Sequence, residues 1–403
     1  MKSKIALYSP GMVGLGHMRR NLMLARQIAA THPDAAILML AEAREACAFE
    51  FPARVDCVSL PGLRKDAGGV CSPRHLPVDT ATLVTTRSRV LEAALTSFEP
   101  DVLIVDHLPA GALGELELVL PALAANGRTR FILGLRDILD SPSNVQREWE
   151  RAGHELMIRR FYQQVWVYGD PAVFDMREAY GFSPAVRSLM RYTGYLNPRV
   201  ANASAVESVE LLAEQMLDDR RLVLCQVGGG QDGLALAESF LEATLPEDAH
   251  GILLTGPFMS PADRLRLRMR ARMRRHFEVI DFVPEPLSLL ARASRVITMG
   301  GYNSVVEALA YGKRALIVPR ATPRCEQLMR AETLASLGVV DVLDQPVNGE
   351  ALTRWLKEGD DVVSADAAVD LDGLARMNRY LDEVLRSAPG AGRRIAAAGR
   401  VVA

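Results

Sequence analysis

The stretch Arg295 to Pro319, RVITMGGYNSVVEALAYGKRALIVP, restricts the fold more than any other part of this chain. Arg295 to Met299 is a short apolar run, Gly300-Gly301 permits a sharp turn, and Ala315 to Val318 reads as the next buried strand. Between them lies a helix with Asn303 or Ser304 as its cap and Glu307 in its first turn. A glycine turn feeding a helix start favours an anion, because free amides and the helix dipole point at it. The same letters also spell a capping box, Ser304-Val305-Val306-Glu307, in which Glu307 only closes its own helix.

The unit recurs. Near the N-terminus Ile5 to Ser9 is followed by Gly11, Gly14 and Gly16, then by a helix with Leu22, Ala25 and Ile28 on one face. Later, Leu222 to Val227 runs into Gly228-Gly229-Gly230-Gln231-Asp232-Gly233 and a helix from Leu234 to Leu245. The first spacing is G-x-x-G-x-G, which departs from the dinucleotide fingerprint, and the second lacks the G-K-[ST] of a Walker loop. Further strands are predicted at 55–60, 102–106, 131–135, 165–168, 250–255 and 279–283. Helices are predicted at 87–98, 111–125, 145–161, 171–180, 287–293 and 371–385. Such alternation gives a parallel, doubly wound sheet, twice over. With 403 residues there is chain enough for two cores. The expected division is 1–197, a linker at 198–220, a second domain at 221–370, and a final helix and tail at 371–403, the helix packing back on the first domain.

Composition narrows the partners. A formal net charge of −2 speaks against a nucleic-acid protein, and five scattered cysteines with no C-x-x-C pair indicate neither a disulfide framework nor a zinc site. No window reaches the roughly 18 uninterrupted apolar residues of a membrane span. The N-terminus runs straight into a strand without the apolar core of a signal peptide, so a cytoplasmic location is expected. The run DRLRLRMRARMRRHF sets Leu265, Met269, Met273 and Phe277 at i+4 spacing, predicting an apolar stripe against the sheet with arginines on the other faces. A basic amphipathic helix can also lie on an anionic membrane, and that peripheral contact stays open. Nothing in the letters sets the oligomeric state.

Several predicted strands end in polar residues on one rim. His17 starts the first helix, where open α/β sheets place ligands, and its pKa range suits proton abstraction. A lone histidine is commonly structural; its position is what favours function. Asp106-His107, Arg136-Asp137 and Tyr168-Gly169-Asp170 end other strands. Arg136 could pair with a phosphate or an acceptor's anionic group, whereas Asp137 and Asp170 read as loop or cap residues. Gly14, Gly16, Asp106 and Arg136 are the candidates for an acceptor or phosphate contact. Glu326-Gln327, just past another strand, could hold neighbouring hydroxyls of a sugar ring, or simply open a helix. The segment 61–77, rich in Gly, Pro and charge, reads as a long rim loop.

Taken together, these motifs resemble the GT-B glycosyltransferases, and most of all the MurG-like family, whose type member transfers N-acetylglucosamine from UDP to a lipid-linked acceptor. The resemblance rests on Gly14-Leu15-Gly16-His17, on Gly228 to Gly233, and on a signature formed by Gly300-Gly301, Glu307, Gly312 to Pro319 and Glu326-Gln327. It implies two Rossmann-like domains facing across a cleft, an inverting, metal-independent reaction and no cofactor beyond a nucleotide-sugar co-substrate, in the first place a UDP-sugar. Glu307 would bind ribose hydroxyls, Phe282-Val283 would lie near the base, and Glu326 and Gln327 would hold the sugar. Gly229, Gly230 and Gly301 would lie against the pyrophosphate, with Gln231, Gly300, Asn303 and Ser304 in the same turns. His17 would be the general base. The acceptor would be a small molecule or lipid-linked. The form Gly-x-Gly-His-x-x-Arg, here Gly14 to Arg20 with Met18-Arg19 before the arginine, is also similar to nucleotide-sugar hydrolases of the same fold, which use water. A catalytically silent subunit that binds sugar nucleotide is the third reading.

Overall fold

A computed structural model describes residues 3–11, 15–42, 49–65, 70–201, 220–283, 285–359 and 368–387. The first half contains β1 (Lys4–Ser9), β2 (Ala36–Ala41), β3 (Val55–Ser59), β4 (Leu63–Lys65), β5 (Cys71–Pro73), β6 (Val102–Asp106), β7 (Arg130–Arg136), β8 (Tyr162–Tyr168) and β9 (Met190–Tyr192). Seven of these form a parallel sheet in the order β3-β2-β1-β6-β7-β8-β9, and β4 and β5 pair as a hairpin within the predicted rim loop. The second half contains β10 (Arg221–Gln226), β11 (Ala249–Leu254), β12 (Phe277–Ile280), β13 (Ala293–Thr298), β14 (Arg314–Ile317) and β15 (Asp341–Val342). They too are parallel, in the order β12-β11-β10-β13-β14-β15.

Each sheet reverses its winding once, between β1 and β6 in the first and between β10 and β13 in the second. Loops leaving such a pair diverge to opposite faces and open a crevice at the carboxyl ends of the strands. The glycine-flanked helix starts therefore sit at switch points: Gly11 follows β1 and Gly16 opens the next helix, Gly228 to Gly233 follows β10, and Gly300-Gly301 follows β13. The inner strands of both sheets, β1, β6, β7, β10, β11, β13 and β14, are almost wholly buried, which is why they read as continuous apolar runs. One hydrophobic cluster holds Leu22, Ile28 and Trp166 of the first half with Val306, Leu309 and Leu334 of the second, so the halves share an interior. The last described helix, Gly373–Arg386, lies against the first half, with Arg191 bridging Glu383 at 2.6 Å and Tyr380 donating to Tyr192 O at 3.1 Å.

The predicted 87–98 helix starts earlier, at Thr80, and the predicted 111–125 helix starts only at Val119; three departures go further. The predicted 145–161 helix is two, Pro142–Arg151 and His154–Phe161, because Gly153 adopts φ +63° between them. The predicted 171–180 helix shrinks to Met176–Ala179. The third departure is an inversion. Pro261–Arg272 buries Leu267 and Ala271, while Leu265 (59 %), Met269 (61 %) and Met273 (85 %) are exposed. The i+4 period is real but faces outward, since Arg266, Arg268 and Arg270 lie low enough to reach Glu238, Asp281 and Glu242 on neighbouring elements.

Candidate functional site

The site is best built from the helix that follows β1. Gly16–Thr31 begins without any side-chain cap, and its first turn carries His17 and Arg20. A three-residue separation puts both on one helical face. That face meets the end of β6, the next strand across the switch point, where Asp106 is fully buried. His17 Nδ1 lies 2.6 Å from Asp106 Oδ2, and Arg20 Nη2 donates to both oxygens of Asp106 at 2.7 Å. Asp106 is thus beneath His17 and not on the open rim. Its oxygens are committed to side chains of its own half, which corrects its candidacy as an acceptor or phosphate ligand.

The electrostatics suit a neutral histidine. Burial lowers the His17 pKa below its ordinary 6.5, and the neighbouring Asp106 carboxylate opposes this without overcoming it. Burial pushes the Asp106 carboxyl up, but Arg20 and His17 outweigh it and hold it below the usual range. Nδ1 meets both Asp106 Oδ2, at 2.6 Å, and the donor Arg20 Nη2, at 2.9 Å. The tautomer that serves the shorter, carboxylate contact leaves Nε2 as the acceptor, with no protein partner among the described residues, and the ring lines the cleft. Arg20 is sandwiched between Tyr168 and Tyr302, at 5.9 and 5.6 Å from their ring centres.

Opposite lie the two turns of the second sheet. Gly228 and Gly230 adopt φ of +64° and +93° after β10. A Cβ on Gly230 would collide with the Thr255 carbonyl and Met259, so glycine is required on both counts. The helix Leu234–Glu242 then starts at Gly233 with no side-chain cap, as Tyr302–Ala310 starts at Gly301. The Ser304–Glu307 capping box does not form. Ser304 Oγ donates to Gly301 O at 3.0 Å and accepts from Thr298 at 2.9 Å, while Glu307 points away and pairs with Arg19 of the first half at 2.6 Å. Asn303 Nδ2 donates to Gly16 O at 3.0 Å, again across the halves.

A single cleft of about 1610 Å³ joins these turns. Of the predicted residues, Gly16, His17, Arg136, Gly229, Gly230, Gln231, Phe282, Val283, Gly301, Asn303, Ser304, Glu326 and Gln327 line it. Gly14 lies outside the described residues. Gly300 and Glu307 are not on the wall. Gly300 (φ +88°) shapes the turn and gives its carbonyl to Arg330 at 2.8 Å. Glu307 is buried behind the wall with Oε2 unpaired. A ribose could reach Glu307 only by displacing Arg19 or taking that free oxygen. Glu326 accepts from Arg320 Nη2 at 2.9 Å and keeps Oε2 unpaired, and Gln327 Oε1 accepts from the Arg320 backbone at 3.2 Å.

Sequence reasoning missed the contacts that hold the halves together. Asp137, read there as a loop or cap residue, is 1 % exposed and takes a two-pronged bond from Arg330 (0 %) at 2.8 and 2.6 Å. Arg324 pairs likewise with Glu148, and the Cys325 amide donates to Asp140 at 3.0 Å. The one available signal was the His-x-x-Arg spacing, which flags Arg20; partners nearly 200 residues apart leave none. Among the described residues no group of three or more His, Cys, Asp or Glu is arranged to hold a metal, and no helix is long and apolar enough to cross a membrane.

Residues 227–362 match the glycosyltransferase family 28 C-terminal domain. Two archaeal proteins, each described as an uncharacterized glycosyltransferase, are similar in sequence. The one from Methanosarcina acetivorans is 21 % identical over 66 % of this chain, and the match spans only 65 % of that relative's length. The one from Methanosarcina mazei is 20 % identical over 86 % of this chain and 87 % of its own. Among solved structures, the spinosyn forosaminyltransferase SpnP superposes over 96 % of this chain and 100 % of its own with a TM-score of 0.62 at 13 % identity. The UDP-GlcNAc 2-epimerase of Methanocaldococcus jannaschii covers 95 % and 100 % at 0.60 and 16 % identity. The fold is GT-B, two parallel-sheet α/β domains, and the matched domain and the relatives together support a glycosyltransferase.

Proposed function

We propose that the protein transfers a sugar from a nucleotide-diphosphate donor, in the first place a UDP-sugar such as UDP-N-acetylglucosamine, to an acceptor hydroxyl or amine with inversion at the anomeric carbon. The observation that carries this is the His17–Asp106 pair facing the glycine turns at Gly228 and Gly301 across one cleft. Residues 1–197 would hold the acceptor, and 221–370 the donor. His17 Nε2 takes the acceptor's proton as its oxygen attacks the anomeric carbon, and Asp106 stabilises the imidazolium that forms. The nucleotide diphosphate leaves on the opposite side, where uncapped helix starts and turn amides accept its growing charge. Glu326 and Gln327 orient the sugar, and Phe282-Val283 border the base. Glu307 meets the ribose once Arg19 lets go.

The test is a panel of nucleotide sugars with and without candidate acceptors, read as released nucleotide. Acceptor-dependent release supports transfer. Equally fast release in water alone would replace this reading with hydrolysis by the same His17. Binding of UDP with no release under any condition would reduce the protein to a sugar-nucleotide-binding subunit.

A further inference from the structure

Four buried or half-buried arginines near the cleft each hold a carboxylate: Arg20 with Asp106, Arg330 with Asp137, Arg87 with Glu115, and Arg324 with Glu148. Arg136 does not. It stands at the end of β7, one strand beyond Asp106, with its side chain only 20 % exposed. Among the described residues its side chain makes one hydrogen bond, from Nη2 to Leu139 O at 3.3 Å, and Nε is buried without a partner. The nearest acid oxygen, Glu326 Oε1, is 4.0 Å away and already engaged by Arg320. A guanidinium offers five donors in a rigid fork, so this one is left almost unused in a desolvated position. Unpaired charge in such a place is costly, and native structures seldom leave it so.

Beside it sits a second unsatisfied group. His107 follows Asp106 with φ +71°, an unusual backbone for a residue with a Cβ, and its Nδ1 is buried and unpaired. Its ring is 5.4 Å from that of His17, and both it and Arg136 line the cleft. Burial first, and then the charge of Arg136, hold His107 neutral, so the positive charge here belongs to Arg136.

We infer that Arg136 and His107 form a subsite for a carboxylate or phosphate group borne by the substrate next to the atom that reacts at His17. The fork of Arg136 matches the two oxygens of such a group, and His107 supplies a further polar contact in whichever tautomer the anion selects. This rests on the reading that His17 is the reaction centre. The anion could come from the acceptor or from an acidic donor sugar. Either way the chemistry is the same, and a neutral substrate leaves the fork empty.

The experiment uses the full chain with UDP held at saturation to occupy the glycine turns, and titrates inorganic phosphate while following thermal stability. Wild type should show a saturable upward shift. Arg136→Met should weaken the apparent phosphate affinity by about tenfold or more, whereas Arg147→Ala, a cleft residue bonded to Asn144, should not. No saturable response in wild type, or the same response in Arg136→Met with an unchanged unliganded melting point, overturns the subsite. Failure of UDP itself to bind would count against the donor reading alone; the dependence of the phosphate response on Arg136 then still decides the subsite. For the source, affinities for UDP-glucuronate and UDP-glucose are compared. An Arg136-dependent preference for the acid assigns the anion to the donor sugar, and equal affinities assign it to the acceptor.

Discussion

The helix start after β1 and the glycine turns after β10 and β13 occupy equivalent places in two sheets, yet they present different chemistry to the cleft. The first delivers side chains: His17, Arg19 and Arg20 crowd one helical turn and seek partners on β6 and across the cleft. The other two deliver mainly backbone, with Gly229, Gly230 and Gly301 bare on the wall. A side-chain site titrates and can be tuned by one neighbour. A main-chain site is indifferent to pH over the ordinary range, but it cannot tolerate a Cβ where backbone approaches backbone. Proton transfer suits the first kind and a permanently charged diphosphate the second.

That contrast can be broken at either end. The largest effect expected is from His17→Ala, which should lower turnover by roughly 10² to 10⁴-fold, the usual worth of a general base, while UDP affinity by calorimetry stays near wild type. Retention of most turnover would remove His17 from the chemistry. Gly230→Ala should act in reverse, costing about 1–3 kcal/mol in backbone strain alone and weakening UDP binding at every pH, because Thr255 and Met259 leave no room for the methyl group. Normal UDP affinity in that variant would mean the diphosphate lies elsewhere.

A pH profile separates the two sites more finely. If neutral His17 is the base, as proposed, kcat/KM should fall as pH drops through its pKa, which burial keeps below 6.5. Asp106 opposes that shift, so Asp106→Asn should carry the acid limb to still lower pH as well as slowing the reaction. Affinity for the UDP-sugar, whose diphosphate has no terminal phosphate to titrate, should show no matching limb, and an acid limb in kcat/KM above 6.5 would contradict the burial argument. The smallest effect is predicted for Arg19→Ala. If ribose competes with Arg19 for Glu307, removing the arginine should tighten UDP binding by up to about tenfold; weaker binding would show that the ion pair itself builds the donor site.

Much of the fold was legible because parallel strands buried on both faces read as apolar runs, and glycine turns mark their carboxyl ends. What periodicity could not supply was which face of a helix turns inward. Leu265, Met269 and Met273 keep a helical period on the wrong side because Leu267 and Ala271 fit under the helix and arginines can reach carboxylates on either flank. The same limit governs the site. His17 was visible as a residue at a strand end, and so was Asp106, but that they meet depends on β1 and β6 being neighbours in the sheet. Ser304 and Glu307 spelled a local cap, and a guanidinium 288 residues away took the carboxylate instead. Local signals state what a residue can do, and strand order decides with whom.

The return of the last helix to the first half has a mechanical consequence. The chain leaves through Gly194 to Leu196 and comes back through Asp370 to Gly373, and these segments are stitched together: Tyr195 donates to Asp370 O at 2.8 Å, Gly373 donates to Tyr195 O at 3.0 Å, and Leu196 bridges Asp372 in antiparallel fashion. Two strands of chain crossing side by side behave like the two knuckles of a door hinge. They resist sliding and twisting of one leaf on the other, and of themselves oppose least a swing about their common line, which the shared interior and the Arg330–Asp137 pair hold shut. A swing of that kind would part Arg19 from Glu307, Asn303 from Gly16 and the buried Arg330 from Asp137 together, so the ties between the halves would be made and broken as one set.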